Sequence, residues 1–185
     1  MNTSLSSQSR RERFEAIADE VFEPLQRYLR RRAGANDADD ALADVMLTLW
    51  RRLDDAPSDR VLPWCYGIAR RTLANRRRSQ GRHLRLIQRI RSEPLLSQVP
   101  DPADAGPDPA LTSALSALGQ EDRELLRLWA WEQLEPRDIA RVLDVSVNAA
   151  TLRLARAKKR LASHMSRQNP SDAGHMTVEG TQGSR

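Results

Sequence analysis

The stretch that decides the fold is EPRDIARVLDVSVNAATLRLARAKKRL, residues 135–161. It predicts two helices joined by a short turn. Pro136 stands where a helix tolerates proline, at its first residue, and Asp144 stands in the turn, where a left-handed backbone suits Asp better than most residues. Ser146 is a favourable N-cap for the second helix. The second helix has an apolar stripe at helical spacing, which we expect to pack inward: Val147, Ala150, Leu154, Ala157 and Leu161.

The opposite face of the second helix is polar and basic. Two helices joined by a short turn, with the second one capped and basic, have the geometry of a DNA-binding helix–turn–helix. The start of the second helix would then meet base edges, and Leu152 could touch a thymine methyl. Arg156, Lys159 and Arg160 would lie nearer phosphates. An ordinary helical hairpin in a bundle is the alternative. The residues of this face are Asn148, Ala149, Thr151, Leu152, Arg153, Arg156 and Arg160.

The charge of the chain is concentrated in two runs. The 185 residues carry a net charge of +5, and the only lysines are Lys158 and Lys159. Residues 67–92 contain nine arginines and no acid, and residues 145–167 contain six cations and no acid. These runs predict two separate anion-binding units, because clustered positive charge attracts polyanions. The alternative is that each run is a solvated helix face.

Several classes of protein are excluded or disfavoured by composition. A single cysteine, Cys65, excludes a disulfide framework and multi-cysteine zinc sites, and it is interpreted as a small core residue. No apolar run approaches the roughly 18 residues that a membrane-spanning helix needs, and no apolar signal segment follows the N-terminus. We therefore expect a cytoplasmic protein without membrane insertion. There is no glycine-rich phosphate loop and no cluster of metal ligands, so we expect no cofactor, no metal and no catalytic residue.

The chain is predicted to be all-α, with two small helical domains. Residues 92–109 contain five of the ten prolines, which excludes a helix and predicts an extended linker. In polyproline form this linker would reach roughly 56 Å, at about 3.1 Å per residue. The linker divides the chain into domains at residues 10–91 and 110–165. Residues 1–9 and 166–185 are predicted to be disordered termini.

The first domain is predicted to contain three helices. The first covers about residues 11–33, the second follows Asp37 and carries Asp40 and Asp44 on one face, and the third begins near Pro63 and includes the arginines of residues 70–78. Guanidinium groups bind phosphate in a bidentate manner. Trp64 is interpreted as a core residue rather than a base-stacking one. The paired aspartates are interpreted as an acidic patch for a basic protein partner, in preference to a metal site or an acid–base pair.

These motifs together resemble a known family. Residues 39–50, DDALADVMLTLW, are similar to the acidic helix in region 2 of bacterial sigma factors. Residues 62–78, LPWCYGIARRTLANRRR, are similar to the helix that follows it, and residues 146–161 resemble the recognition helix of region 4. With two domains and a short linker, the chain most resembles the extracytoplasmic-function (ECF) group of sigma factors.

The resemblance implies a function in transcription initiation, in the bacterial cytoplasm and without catalysis by the chain itself. Asp40, Asp44 and Leu47 would dock on the clamp helices of the largest subunit of core RNA polymerase. The loop at about residues 54–61 would help to hold an extruded base of the minus-ten promoter element. The minus-ten contacts would be Arg70, Arg71, Asn75, Arg76, Arg77 and Arg78. The minus-thirty-five contacts would be Ser146, Asn148, Thr151, Leu152, Arg153, Arg156 and Arg160.

The predicted linker agrees in length with that function. Promoter elements about 17 base pairs apart are separated by roughly 58 Å at about 3.4 Å per step, which is close to the extended reach of residues 92–109. The resemblance also suggests an anti-sigma factor as a partner, although no residue identifies one. Two alternatives stay open: a two-domain helix–turn–helix regulator that acts without core polymerase, and an enzyme of nucleic-acid metabolism, which is the least favoured.

Overall fold

The computed structural model describes the backbone of residues 2–91 and 108–168, and the side chains of residues 7–82 and 108–167. These residues form helices and no strands, which confirms the all-α prediction. Residues 92–107 of the predicted linker and 169–185 of the predicted tail lie outside the described residues, whereas residues 166–168, also predicted to be disordered, are helical. A short 3₁₀ helix, Leu53–Asp55, follows α2. The α-helices are α1 (Asn2–Arg32), α2 (Ala35–Arg51), α3 (Val61–Arg91), α4 (Pro109–Ser116), α5 (Gln120–Ala130), α6 (Pro136–Leu143) and α7 (Val147–Gln168).

The first domain is a bundle of α1, α2 and α3, and each helix packs against the other two. Leu25 of α1 and Val45 of α2 are completely buried in its core. Cys65 of α3 is also completely buried, which confirms it as a core residue, and burial raises the pKa of its thiol to about 12. Trp64 is half-buried and packs against the same core, as predicted. Burial of these apolar side chains is the main force that holds the three helices together.

The N-terminus of the first domain differs from the prediction. Helix α1 begins at Asn2, whereas residues 1–9 were predicted to be disordered. Residues 2–23 contain neither proline nor glycine, so nothing in the sequence stops the helix from extending. Arg10 donates hydrogen bonds to the Asp54 carboxylate (2.6 Å) and the Trp50 carbonyl (2.8 Å), which ties this part of α1 to the loop after α2.

The second domain contains α4 to α7, and its helix ends confirm the predicted turn chemistry. Pro136 is the first residue of α6. Asp144 adopts the left-handed conformation after α6, with φ 59° and ψ 50°. The Ser146 hydroxyl accepts a hydrogen bond from the Ala149 amide at 3.2 Å and so caps α7. The short turn between α6 and α7 is therefore fixed by Asp144 and Ser146, as the sequence predicted.

One residue of the predicted inward stripe of α7 is placed differently. Ala150, Leu154 and Ala157 are buried, as predicted. Val147 was also predicted to pack inward, but it is 51% exposed, so this prediction is wrong. Val147 is the first residue of α7, and the helix has no turn before it that could bring it against the rest of the domain.

The two domains pack directly against each other, through α3 and α6. The closest approach involves Gly67 of α3. A Cβ atom built on Gly67 would lie 3.8 Å from both the Cα and the carbonyl oxygen of Val142, and 3.9 Å from the carbonyl oxygen of Arg141. These are ordinary van der Waals distances, so an alanine would fit at this position, whereas a longer side chain would meet the backbone of α6. Sequence analysis did not predict this contact.

Candidate nucleic-acid interface

The second domain presents one exposed basic face on α7. Ala150, Leu154 and Ala157 hold the opposite face of the helix in the core. Leu152 is 52% exposed, although leucine on a solvated helix face gains nothing from exposure. The structure therefore brings all the predicted minus-thirty-five residues to one surface. The exposed residues of this surface are Ser146, Asn148, Thr151, Leu152, Arg153, Arg156 and Arg160.

Acidic residues of α5 lie beside this face. Arg160 donates a hydrogen bond to Asp122, and Arg153 lies 4.0 Å from Glu121. Both acids lie in the first turn of α5, where they also complement the positive end of the helix dipole. Arg153 and Glu121 are largely exposed, so phosphate can compete for this arginine at little cost.

The first domain presents its arginines along α3. Arg71, Asn75, Arg77 and Arg78 are exposed and Arg70 is half-buried. The side-chain oxygen Oδ1 of Asn75 accepts a hydrogen bond from Arg78 at 2.6 Å, and Arg77 donates to the backbone carbonyl of Arg32 at 2.9 Å. The predicted minus-ten residues therefore share one helix, and most of them are accessible to a polyanion.

Arg76 is the exception among the arginines of α3, because it contacts the predicted polymerase-docking residues. It donates hydrogen bonds to Asp44 at 2.6 Å and to Asp40 at 3.0 Å. Burial alone lowers the pKa of Arg76, but the hydrogen bond and charge of Asp44, followed by those of Asp40, raise it overall. The structure thus joins one predicted DNA contact to two predicted protein contacts, which sequence reasoning treated as separate sites.

The acidic face of α2 is exposed and has an apolar neighbour. Asp40 and Asp44 retain 73% and 52% of their side-chain accessibility in spite of Arg76. Leu47 and Trp50, one and two turns further along α2, are exposed large apolar residues. Acidic and apolar side chains on one face are suited to a partner surface that is basic at one end and apolar at the other.

A cleft of about 1070 Å³ lies between the two domains. Its walls include Arg70, Arg71, Arg77 and Arg78 from α3, and Arg153 from α7. Residues from both predicted DNA-binding sets therefore face the same space.

The interface beneath this cleft contains a buried ion-pair network that sequence reasoning missed. Arg32 of α1 donates hydrogen bonds to Glu124 (3.1 Å) and to Glu132 (2.9 Å), both in the second domain. The Arg32 side chain is 3% exposed and the Glu132 side chain is 2% exposed. The Tyr28 hydroxyl donates to Glu124 at 3.1 Å, and the Arg32 guanidinium lies 3.7 Å from the centre of the Tyr28 ring. No sequence signal marks these partners, because about 100 residues separate them.

The tyrosines of this network are held in the neutral form. Burial, and then the charge of Glu124, raise the pKa of Tyr28 well above its ordinary value. Burial, and then the charge of Glu132, raise the pKa of Tyr66 to about 12. Burial alone lowers the pKa of Arg32, but the charges around it raise it overall. Arg32 therefore stays charged and the tyrosines stay protonated at neutral pH.

A second ion pair joins the domains at the start of α3. Arg60 contacts Asp138 of α6 at 2.5 Å, and its carbonyl oxygen accepts a hydrogen bond from Arg141 at 3.3 Å. Arg60 has a left-handed backbone, with φ 51°, which is unusual for a residue other than glycine. The loop at residues 54–61 was predicted to help hold a base. In the structure, Arg60 of this loop contacts Asp138 of the second domain.

The described residues contain no cluster of three or more His, Cys, Asp or Glu side chains that could bind a metal ion. Among the same residues, no helix is both long and apolar enough to span a membrane.

The chain has two helical domains, one with a capped basic helix–turn–helix and one with an arginine-rich helix. This combination is typical of DNA-binding proteins that act in transcription. Comparison with known proteins identifies its family. Residues 17–83 match the family "Sigma-70 region 2" and residues 109–161 match "Sigma-70, region 4". The chain belongs to the sigma-70 family of RNA polymerase sigma factors, with the two-domain organisation of the ECF group. It is a sigma factor, which directs promoter-specific initiation of transcription.

Individual relatives agree with this assignment. The RNA polymerase sigma factor NccH of Alcaligenes xylosoxydans xylosoxydans is 29% identical over 135 residues, which cover 69% of this chain and 73% of NccH. The fold is similar to that of the sigma factor RpoE of Bartonella quintana, solved with the anti-sigma factor NepR (TM-score 0.60, 20% identity, 82% of this chain and 96% of the other). It is also similar to CnrH, solved with the cytosolic domain of CnrY (TM-score 0.56, 23% identity, 83% and 88%).

Proposed function

We propose that α2, α3 and α7 supply the three contacts that a sigma factor needs in initiation. The observation that carries the proposal is the capped helix α7, which presents Arg153 and Arg156 on an exposed face while Ala150 and Leu154 fix the opposite face in the core. A recognition helix needs this division, because one face must be rigidly held while the other enters the major groove.

In this proposal α7 binds the minus-thirty-five element. Asn148, Thr151 and Leu152 lie near the start of the helix, where side chains reach base edges. Arg156 and Arg160 lie further along and contact phosphates. The contact between Arg153 and Glu121 is long, at 4.0 Å, and exposed. Arg153 can therefore leave Glu121 and contact the DNA.

The arginines of α3 bind the backbone at the minus-ten element. Arg70, Arg71, Arg77 and Arg78 lie along one helix in a run without acids, and guanidinium groups match phosphate geometry. Asn75 lies between them and can bind a base or a sugar. Arg76 forms ion pairs with Asp40 and Asp44 in the free protein. It can therefore contact phosphate only when these two carboxylates bind another group.

The acidic face of α2 docks on the clamp of the largest subunit of core polymerase. Asp40 and Asp44 supply charge and Leu47 supplies apolar area. The polymerase carries the catalytic chemistry, so the chain itself needs no catalytic residue, and it acts in the bacterial cytoplasm. We infer that an anti-sigma factor is a further partner of this chain, because the similar sigma factor RpoE was solved in complex with the anti-sigma factor NepR.

Transcription in vitro with purified core polymerase over a genomic DNA library tests this function. We expect transcripts that start at discrete sites only when the chain is added, and the shared upstream sequence returns the promoter motif. A regulator that acts without core polymerase would bind DNA specifically but would produce no such transcripts and would not bind core polymerase.

A further inference from the structure

The N-terminal part of α1 contacts the loop between α2 and α3 through two arginines. Arg10 donates hydrogen bonds to the Asp54 carboxylate at 2.6 Å and to the Trp50 carbonyl at 2.8 Å. Arg13 donates a hydrogen bond to the Ala56 carbonyl at 3.0 Å. The Trp50 carbonyl lies in the last turn of α2, where carbonyls have no partner within the helix and a positive charge is favourable. The two arginines therefore hold three groups at the start of the loop in place.

Aromatic and apolar contacts add to this attachment. The ring of Phe14 in α1 packs edge-on against the ring of Trp50, with centroids 5.3 Å apart and an interplanar angle of 88°. The Arg10 guanidinium lies 5.3 Å from the centre of the Trp50 ring. Leu53 and Ala56 of the loop are buried, at 0% and 6% exposed. All of these contacts lie within the first domain, so the start of the loop is held without help from the second domain.

The tip of the loop is exposed and polar. Ser58 and Asp59 are exposed, and within the part of the chain that the structure describes they form no hydrogen bond or ion pair. The backbone on one side of them is fixed at Ala56, and on the other side at Arg60, which contacts Asp138. Two polar side chains on a loop that is fixed at both ends are typical of a recognition site, because loops on a rigid scaffold commonly carry binding residues.

We propose that Arg10 and Arg13 are positioning residues for the minus-ten element, because they fix the loop that presents Ser58 and Asp59 to an extruded base. The proposal rests on the proposed function, since it concerns how the first domain recognises that element. A loop that is ordered before binding loses less conformational freedom on binding, so its contacts contribute more to affinity. The match to region 2 begins at residue 17, so both arginines lie outside the part of α1 that it covers.

The chemistry of the tip limits the base that it can bind. The Asp59 carboxylate only accepts hydrogen bonds, whereas the Ser58 hydroxyl can also donate one. An extruded base is read on its Watson–Crick edge. Adenine and cytosine each offer an amino group there, next to a ring nitrogen that accepts, which matches Asp59 and Ser58 together. Guanine and thymine have no such pair, so we expect adenine or cytosine at one position of the minus-ten element.

Hydrogen exchange in the free, full chain tests whether the arginines fix the loop. The amides of Asp55 and Ala56 donate hydrogen bonds within the loop, at 2.9 Å and 3.2 Å. In the variant Arg10→Ala with Arg13→Ala, these two amides should exchange at least about tenfold faster. The amide of Val45, in the core of α2, should exchange at the parental rate, which separates local loosening from a general loss of stability.

A matched control removes a positive charge from the same turn of α1. Arg11 is exposed and forms no hydrogen bond or ion pair with the other described residues. Arg11→Ala should therefore change no exchange rate, whereas Arg10→Ala alone should already accelerate exchange in the loop. The Arg10–Asp54 pair is partly exposed, so its loss should cost the domain little stability.

Reconstituted transcription tests the effect on base preference. The template is the promoter that the transcription assay returns, with each of the four bases in turn at each minus-ten position. We expect the parent chain and Arg11→Ala to prefer adenine or cytosine at one position by about tenfold or more. Asp59→Ala should remove this preference. The variant Arg10→Ala with Arg13→Ala should reduce it at least about threefold, with parental affinity for core polymerase and parental use of the minus-thirty-five element.

Combining the substitutions separates positioning from a merely structural role. In the Asp59→Ala background, loss of Arg10 and Arg13 should cause no further loss of preference, because both changes act on one contact. A structural role alone would lower transcription equally for all four bases, and that result would overturn the proposal. Parental exchange rates in the loop, or a preference for guanine or thymine, would also overturn it. Absence of chain-dependent transcripts would instead overturn the proposed function, while the exchange rates would still show whether the arginines fix the loop.

Discussion

The double substitution Asp40→Arg with Asp44→Arg separates the docking role of the acidic face of α2 from a purely structural role. In the free protein both aspartates bind Arg76, at 3.0 Å and 2.6 Å. If pairing with Arg76 were their only purpose, their replacement would affect stability alone. If they dock on polymerase, their replacement removes two charges from the interface and adds two of the wrong sign.

The structure gives the two effects different magnitudes. Asp40 and Asp44 are 73% and 52% exposed, so each pair with Arg76 contributes at most about 1 kcal/mol to stability. The loss of the two pairs should therefore lower the free energy of unfolding by at most ~2 kcal/mol, and repulsion between the new arginines and Arg76 adds a few tenths of a kcal/mol, on the order of that of an exposed like-charge pair. Reversed charges in an electrostatic interface cost several kcal/mol. A loss of about 3 kcal/mol corresponds to an affinity for core polymerase that is more than a hundredfold lower.

The assay measures core polymerase binding by fluorescence anisotropy and stability by urea unfolding. Arg76→Ala is the matched control, because it breaks the same pairs but keeps both acids, so it should bind core polymerase with the parental affinity or better. Unchanged affinity after Asp40→Arg with Asp44→Arg would refute docking through this face. A similar loss of affinity in Arg76→Ala would show that the pairs act through the structure of the domain.

Further predictions concern single residues. Arg153→Ala should lower transcription from the cognate promoter about tenfold or more, through the loss of a contact worth ~1–3 kcal/mol, while core binding stays constant; a simultaneous loss of core binding would show another role for α7. The Cys65 thiol has a pKa of about 12 in the folded protein, against an ordinary value of 9.0. At pH 8 the folded protein should therefore carry about a thousandfold less Cys65 thiolate than the chain unfolded in urea, and should react with a disulfide reagent at least that much more slowly. Rapid reaction in the native protein would contradict the burial of Cys65. Tyr66 has a pKa of about 12 in the folded protein, against an ordinary value of 10.0. Its contribution to stability is therefore complete below pH 10 and is lost as pH rises to 12, by ~3 kcal/mol. Tyr66→Phe should reduce this loss in a pH series of unfolding curves, and an identical loss would contradict the raised pKa of Tyr66.

The helix–turn–helix was predictable because its determinants are local. Pro136, Asp144 and Ser146 each fix a helix end through the backbone of their own neighbours, so sequence spacing alone places them. The exposed basic face of α7 follows from the same register. Val147 was predicted to be buried because it fits the apolar period of α7, but it is exposed. The period does not show that the first residue of a helix has nothing to pack against.

The contacts between domains were not predictable, because they depend on residues far apart in the chain. Arg32 and Glu132 are 100 residues apart, and neither interrupts an apolar period. Gly67 lies in the helical pattern of α3, and nothing in that pattern shows that α6 approaches the helix at this residue. Arg76 was assigned to DNA because its neighbours in sequence are arginines, whereas its neighbours in space are Asp40 and Asp44.

Reconstituted transcription tests the central claim most directly. Core polymerase, the purified chain and a genomic DNA library should yield transcripts from discrete promoters, each with two conserved elements about 17 base pairs apart. Arg153→Ala should weaken the dependence on the upstream element, through the loss of one contact worth ~1–3 kcal/mol. Absence of chain-dependent transcripts, together with no detectable binding to core polymerase, would contradict the assignment of α2, α3 and α7 to initiation.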